Sequence, residues 1–305
     1  MPLNKFTEKD VVDLVEDTNS RIDLMDFADK IQTASNTLNN ELGNILSDIS
    51  EEMLLLFVNS IVSKDYDVLG KLSLPLQEEY AAIINRVLKE MYNYAKVKAS
   101  EEISVKTPST QEDAIKKILL NTKNVVDGQF SDLLTAIINL AIVGINKGWD
   151  KNKAEISFEA LFNNFVKKKV EVGNDQMVME TFNDARNYVF MSYPDIVIGY
   201  RLNNSLENIL RGVVCPYCKN LHGLTVEFDS PLFYSYHPPF HFKCGCFWEA
   251  VTTKDDVEFS SPPDIPSYDT ISNFKGLSEK EYGLNETITK DDKEIINLIE
   301  ELIYE

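Results

Sequence analysis

All four cysteines and all three histidines of this chain lie between residues 215 and 246. Thiols and imidazoles gathered so tightly, in a chain kept in a reducing compartment, argue for a shared metal rather than for disulfides. The donors come in two groups. Cys215-Pro-Tyr-Cys218 is followed, after 22 residues, by His241-Phe-Lys-Cys244-Gly-Cys246. A Cys-x-x-Cys knuckle places two thiolates at adjacent corners of a tetrahedron, and a His-x-x-Cys or His-x-x-x-x-Cys pair can take the other two. Sulfur with one imidazole selects zinc over hard cations. Seven donors, counting His222 and His237, compete for four positions. Cys244 and Cys246 would share one face of a regular strand, although a turn at Gly245 could separate them. The expected ligands are therefore Cys215, Cys218, His241 and one of Cys244 and Cys246, holding a structural Zn2+ in a module too small to have a core of its own.

The rest of the chain frames that module. Residues 1–193 are expected to form a helical body. Tyr80, Ile83, Ile84, Val87, Leu88, Met91 and Tyr94 recur at spacings of three and four, which is one face of a helix. Similar patterns occupy about 39–63, 111–123, 131–147, 156–171 and 174–191. Ser109 with Glu112, and Ser131 ahead of an apolar run, read as helix starts. Gly70, Pro75, Pro108, Gly128 and Gly148 read as breaks. After Pro194 the period shortens. Asp195–Tyr200, Leu224–Phe228 and Cys246–Val251 have strand character. Residues 194–252 thus form the expected zinc-binding β module. Residues 253–288 read as a linker, and 289–305 as a C-terminal helix with Ile295, Leu298, Ile299 and Leu302 along one stripe. The fold class expected is mainly α with a small zinc-stapled β module and an extended tail ending in a helix that docks on another protein.

Charge and hydropathy exclude some functions. With 30 Lys+Arg against 49 Asp+Glu the net charge is −19. Such a surface repels phosphate backbones, so strong direct nucleic-acid binding is not expected. Lys167, Lys168 and Lys169 read as a solvated helix face. The opening MPLNKFTEKD lacks the pattern of a signal peptide, and the longest apolar run, Leu133–Val143, reads as a buried core helix rather than a membrane span. A cytoplasmic site of synthesis and no membrane partner are expected.

The same residues admit three enzymatic readings. Cys-Pro-Tyr-Cys is a glutaredoxin-type dithiol, but that motif opens a long helix, whereas here the chain turns at Gly223 into a strand. A zinc deaminase needs His-x-Glu upstream of its cysteines, and no histidine precedes Cys215. A nuclease of the His-Asn-His type would have to use His237 or His241, and the local sequence supplies no acidic partner. No catalytic residue is expected.

The order of motifs resembles a known family. A helix carrying Asn183-Asp-Ala-Arg-Asn187 precedes a strand. Cys215-Pro-Tyr-Cys218-Lys-Asn-Leu221-His-Gly223 follows, and then Pro238-Pro239-Phe240-His241-Phe242-Lys243-Cys244-Gly245-Cys246. This is similar to the C-terminal part of tailed-bacteriophage minor head proteins, the Mu F-like head morphogenesis family, over about residues 130–250. The family commonly has Arg between its last two cysteines, where this chain has Gly245. The resemblance implies a non-enzymatic virion component inside the head or at the portal vertex, present in the host cytoplasm during assembly. It would associate with the portal protein or the inner capsid surface and act in head assembly or DNA delivery. The alternative is a zinc-dependent nuclease or DNA-processing protein.

Overall fold

The computed structural model describes residues 22–71, 77–110, 112–212, 214–241 and 244–260. The expected helix at 289–305, and the linker beyond Ser260, lie outside them. The described chain is mostly helical with one small antiparallel sheet. Five long helices come first: α1 (Leu24–Ser63), α2 (Gln77–Glu102), α3 (Glu112–Lys147), α4 (Lys151–Phe165) and α5 (Val172–Met191). Then come β1 (Val197–Asn203), α6 (Ser205–Arg211), α7 (Pro216–Leu221), β2 (Thr225–Glu227), α8 (Pro231–Ser235) and β3 (Phe247–Thr252).

Several helices are longer than the sequence pattern suggests. α1 begins at Leu24 rather than near residue 39, because Asp23 caps it by accepting the Asp26 N–H at 3.0 Å. α3 runs unbroken through Gly128 and Ser131. A glycine in a helix interior costs only about 1 kcal/mol, and Val126, Phe130 and Leu133 are buried on both sides of it. Burial of the apolar face therefore carries the helix past the expected break at Gly128 and the expected start at Ser131. α4 passes without a loop into a π-helical stretch, Val166–Glu171, and then into α5. Gln129 anchors the wider turn by donating to the Lys169 carbonyl at 3.3 Å. Lys169 pairs with Asp132 at 3.7 Å. By length and mean hydropathy alone α3 could cross a membrane. Its Leu133, Ala136, Ile137, Leu140 and Ala141 are nevertheless each at most 1% exposed, packed inside the protein.

Internal contacts divide the chain into two units. One holds Asn36–Val87 and Asp113–Asn174, with Phe57 on Phe158 and Tyr80 edge-on to Phe130. The other holds residues 22–35, Leu88–Glu112 and 175–260, and it contains the sheet. That sheet has the order β2-β1-β3, all antiparallel. The three strands lie close to where alternation placed them. Their core is not self-contained: Tyr200, Leu202, Val226, Trp248 and Ala250 pack with Ala99 and Ile103 from α2 and its end, and with Val189 and Phe190 from α5.

Among the described residues β3 is an edge strand, hydrogen-bonded to a neighbouring strand on one side only. Its outer side is sealed by side chains at alternate residues. Asn183 donates to the Cys246 carbonyl at 3.2 Å, and Arg186 to the Trp248 carbonyl at 3.2 Å. Glu102 accepts the Ala250 N–H at 2.9 Å, and Asp255 the Thr252 N–H at 2.7 Å. Buried backbone groups left unpaired would cost about 1–3 kcal/mol each. Arg186 and Glu102 also form an ion pair at 2.5 Å, with side chains 1% and 3% exposed. The guanidinium lies 5.0–5.4 Å from the ring centres of Phe27, Phe182, Phe190 and Phe247. Their π faces meet the part of the cation that the carboxylate does not.

Candidate metal centre

The centre is built from three short pieces around the sheet. After β1, α6 places Glu207 in its first turn. The chain then returns through Cys215, which caps α7: its Sγ accepts the Cys218 N–H at 3.2 Å and Pro216 fills the first helical position. This short helix ends at once, and Gly223, with φ +79°, turns the chain into β2. The long helix that a dithiol oxidoreductase requires is therefore not formed. The third piece, Cys244–Cys246, leads directly into β3.

These pieces bring Glu207, Cys218, His241 and Cys244 together as a group able to hold a metal ion, one donor atom from each lying within 4.8 Å of all the others. Cys218 Sγ stands 3.1 Å from His241 Nε2 and 3.8 Å from Cys244 Sγ. Cys215 and Cys246 complete the buried thiol cluster. Of the three histidines, His241 alone joins it. His222 Nδ1 accepts the Asn204 N–H at 3.3 Å, and His237 pairs with Asp184 at 3.5 Å.

Glu207 is the residue that sequence reasoning missed. Nothing in the spacing marks it, because it lies eight residues before the first cysteine, on an element the pattern did not reveal. Its side chain is fully buried, 3.5 Å from His241 Nε2 and 3.3 Å from Arg211 Nη1. It also accepts the Cys215 N–H at 3.3 Å, and Cys246 Sγ lies 3.9 Å from its other oxygen. Gly245 explains how it gets there. A Cβ on Gly245 would lie 2.4 Å from the Glu207 nitrogen and 2.8 Å from the Leu206 carbonyl carbon, so α6 and the Cys244–Cys246 segment touch backbone to backbone. Any side chain at this position would collide with that backbone.

The electrostatics favour a cation. Burial pushes Glu207 up to about 8, with the Cys244 thiolate adding to the shift and His241 and Arg211 opposing it. A hydrogen bond from Cys218, aided by His241, brings Cys215 down to about 5 against the effect of burial. Burial also opposes ionisation of Cys244, yet hydrogen bonds from Cys218 and Cys246 and the charge on His241 hold it well below the usual thiol range. His241 rises to about 9: burial works against its charge, while Cys215, Cys244 and Glu207 favour it. Cys218 and Cys246 shift the other way: the hydrogen bond with Cys215 holds the Cys218 thiol well above its usual range, and burial does the same for Cys246. Two thiolates, Cys215 and Cys244, therefore face a protonated His241.

Two buried asparagines fix the segments that carry the thiols. Asn204 donates to the Cys218 carbonyl at 2.9 Å, and Asn183 to the Cys246 carbonyl. Comparisons with protein-family models, with curated proteins and with solved structures found no match.

Proposed function

We propose that the chain is a structural, non-enzymatic head component of a tailed bacteriophage, with one zinc ion stapling the segments around its sheet. The observation that carries this reading is the buried donor cluster at the end of the Cys-x-x-Cys … Pro-Pro-x-His-x-x-Cys-x-Cys motif. A tetrahedral zinc with Zn–S bonds of about 2.3 Å sets two ligand sulfurs roughly 3.8 Å apart, and Cys218 and Cys244 are separated by that distance. The Cys215 thiolate, accepting the N–H of Cys218, has the geometry of a metal knuckle. Cys215, Cys218, His241 and Cys244 are the ligands proposed, with Cys246 and Glu207 beside them. Four protein donors leave no open position, which suits a structural rather than a catalytic zinc. The net charge of −19 favours a protein partner over nucleic acid, and the partners proposed are the portal protein and the inner capsid surface. Mass spectrometry of purified phage particles tests this: a few copies per head, retained on portal rings, is the expected result. A chain absent from particles and from portal rings would overturn it.

One observation favours a second reading, a zinc-dependent nuclease. His237 and Asp184, each about a third exposed, lie 3.5 Å apart, and Asn187 Nδ2 is 3.5 Å from the other ring nitrogen. The acidic partner that the sequence around His237 did not supply comes from α5. DNA cleavage with magnesium, manganese or zinc that is lost on His237→Ala, with the fold intact, would establish this reading in place of the first.

A further inference from the structure

We propose that Asn183 is a positioning residue of the metal centre, holding the Cys244–Cys246 segment so that its thiol meets the ion. The inference rests on the metal reading above and adds a determinant far from the cysteines in sequence. The segment is held at two points. At Gly245 there is no space, with the Glu207 nitrogen 2.4 Å from where a Cβ would stand. At Cys246, Asn183 Nδ2 donates to the carbonyl, from a position only 1% exposed. One turn further along α5, Arg186 holds the Trp248 carbonyl, and its ion-pair partner Glu102 holds the Ala250 N–H. These bonds fall on residues 246, 248 and 250, the alternate positions that a fourth strand would have occupied. Side chains of α5 and α2 thus replace a neighbouring strand, and the Asn183 bond is the one nearest to the thiols.

A metal site gains affinity when the backbone carrying its ligands is already in place. Losing an outer hydrogen bond of this kind typically weakens binding about 10–100-fold. Asn183→Asp keeps the shape and removes the donor. Asn183→Leu, of similar volume, serves if the buried carboxylate prevents folding. Val178→Ala is the control, because Val178 is fully buried on the same helix and is not among the residues that bond to β3. Zinc affinity of the full chain is read by competition with a chromogenic chelator, and ligand geometry by the visible spectrum of the cobalt(II)-substituted protein. The expected result is zinc binding at least tenfold weaker and an altered cobalt spectrum for the Asn183 variants. Val178→Ala should lower the melting temperature and leave both readouts unchanged. Wild-type affinity and spectrum in the Asn183 variants, beside a wild type that binds one zinc, overturns the positioning role alone. Equal weakening by Val178→Ala also overturns it, since the effect is then general stability. A wild type that binds no zinc overturns the metal reading and this proposal together.

Discussion

Replacing Arg186 with methionine removes the cation from the core and leaves the Glu102 carboxylate 3% exposed without its counter-charge. Breaking one side of a buried ion pair costs about 3–5 kcal/mol, because an uncompensated charge stays behind. The lost bond to the Trp248 carbonyl adds about 1–3 kcal/mol for an orphaned acceptor, not fully additive with the first effect. A destabilisation of about 4 kcal/mol is expected for Arg186→Met. The decisive comparison is the double variant Arg186→Met with Glu102→Gln. Glutamine retains an oxygen for the Ala250 N–H, and neither member of the pair then carries a charge. Apolar replacement of a whole buried pair is often close to neutral, so the double variant should recover at least half of the loss. The assay is denaturant unfolding of the zinc-loaded protein, followed by circular dichroism and by tryptophan fluorescence, since Trp248 is fully buried beside the pair. A double variant no more stable than the single one would refute the charge argument and leave a purely packing role for Arg186. A cost below about 1 kcal/mol for Arg186→Met would refute the burial of the pair itself.

Gly245→Ala should displace the start of α6, because the atoms its Cβ meets are backbone. The expected cost is about 1–3 kcal/mol with weakened metal retention, checked by unfolding and metal analysis, and wild-type behaviour would contradict the close approach. Burial raises Glu249 to about 7, against the Asn203 hydrogen bond that lowers it and with Glu102 adding to the shift. A carboxyl raised in the folded state contributes stability that is full below its unfolded value near 4.5 and is lost as pH rises through 7. Glu249→Gln should therefore stabilise the protein at pH 8, on the order of 2 kcal/mol, and change little at pH 5; an equal effect at both values would refute the shift. Truncation after Thr287 should leave zinc content and melting temperature nearly unchanged and weaken incorporation into heads, whereas a fall of many degrees in the isolated chain would place residues 289–305 in its core.

The sequence made some parts of this structure legible and hid others for identifiable reasons. The strands around Ile198, Val226 and Trp248 were readable because alternation and β-branching are local signals. The break expected at Gly128 and the helix start expected at Ser131 were misplaced because burial of Phe130 and Leu133 overrides the weak propensity of one glycine. The cysteines and His241 announced themselves by spacing, and the structure gathers them. Glu207 did not, since its place depends on the backbone contact at Gly245, which only the folded chain contains. Asn183 and Arg186 were visible as a motif on a helix, but not as the seal on a strand edge some sixty residues later, because that pairing is tertiary.

Metal analysis of the full chain purified without chelator tests the zinc centre most directly. Structural zinc in small modules is held by about 10–16 kcal/mol, so it should survive purification. The account predicts close to one equivalent of zinc per chain, lost in Cys218→Ser, whose sulfur lies 3.1 Å from His241 and 3.8 Å from Cys244. Less than about 0.2 equivalents in the wild type, or full retention of zinc in Cys218→Ser, would contradict it.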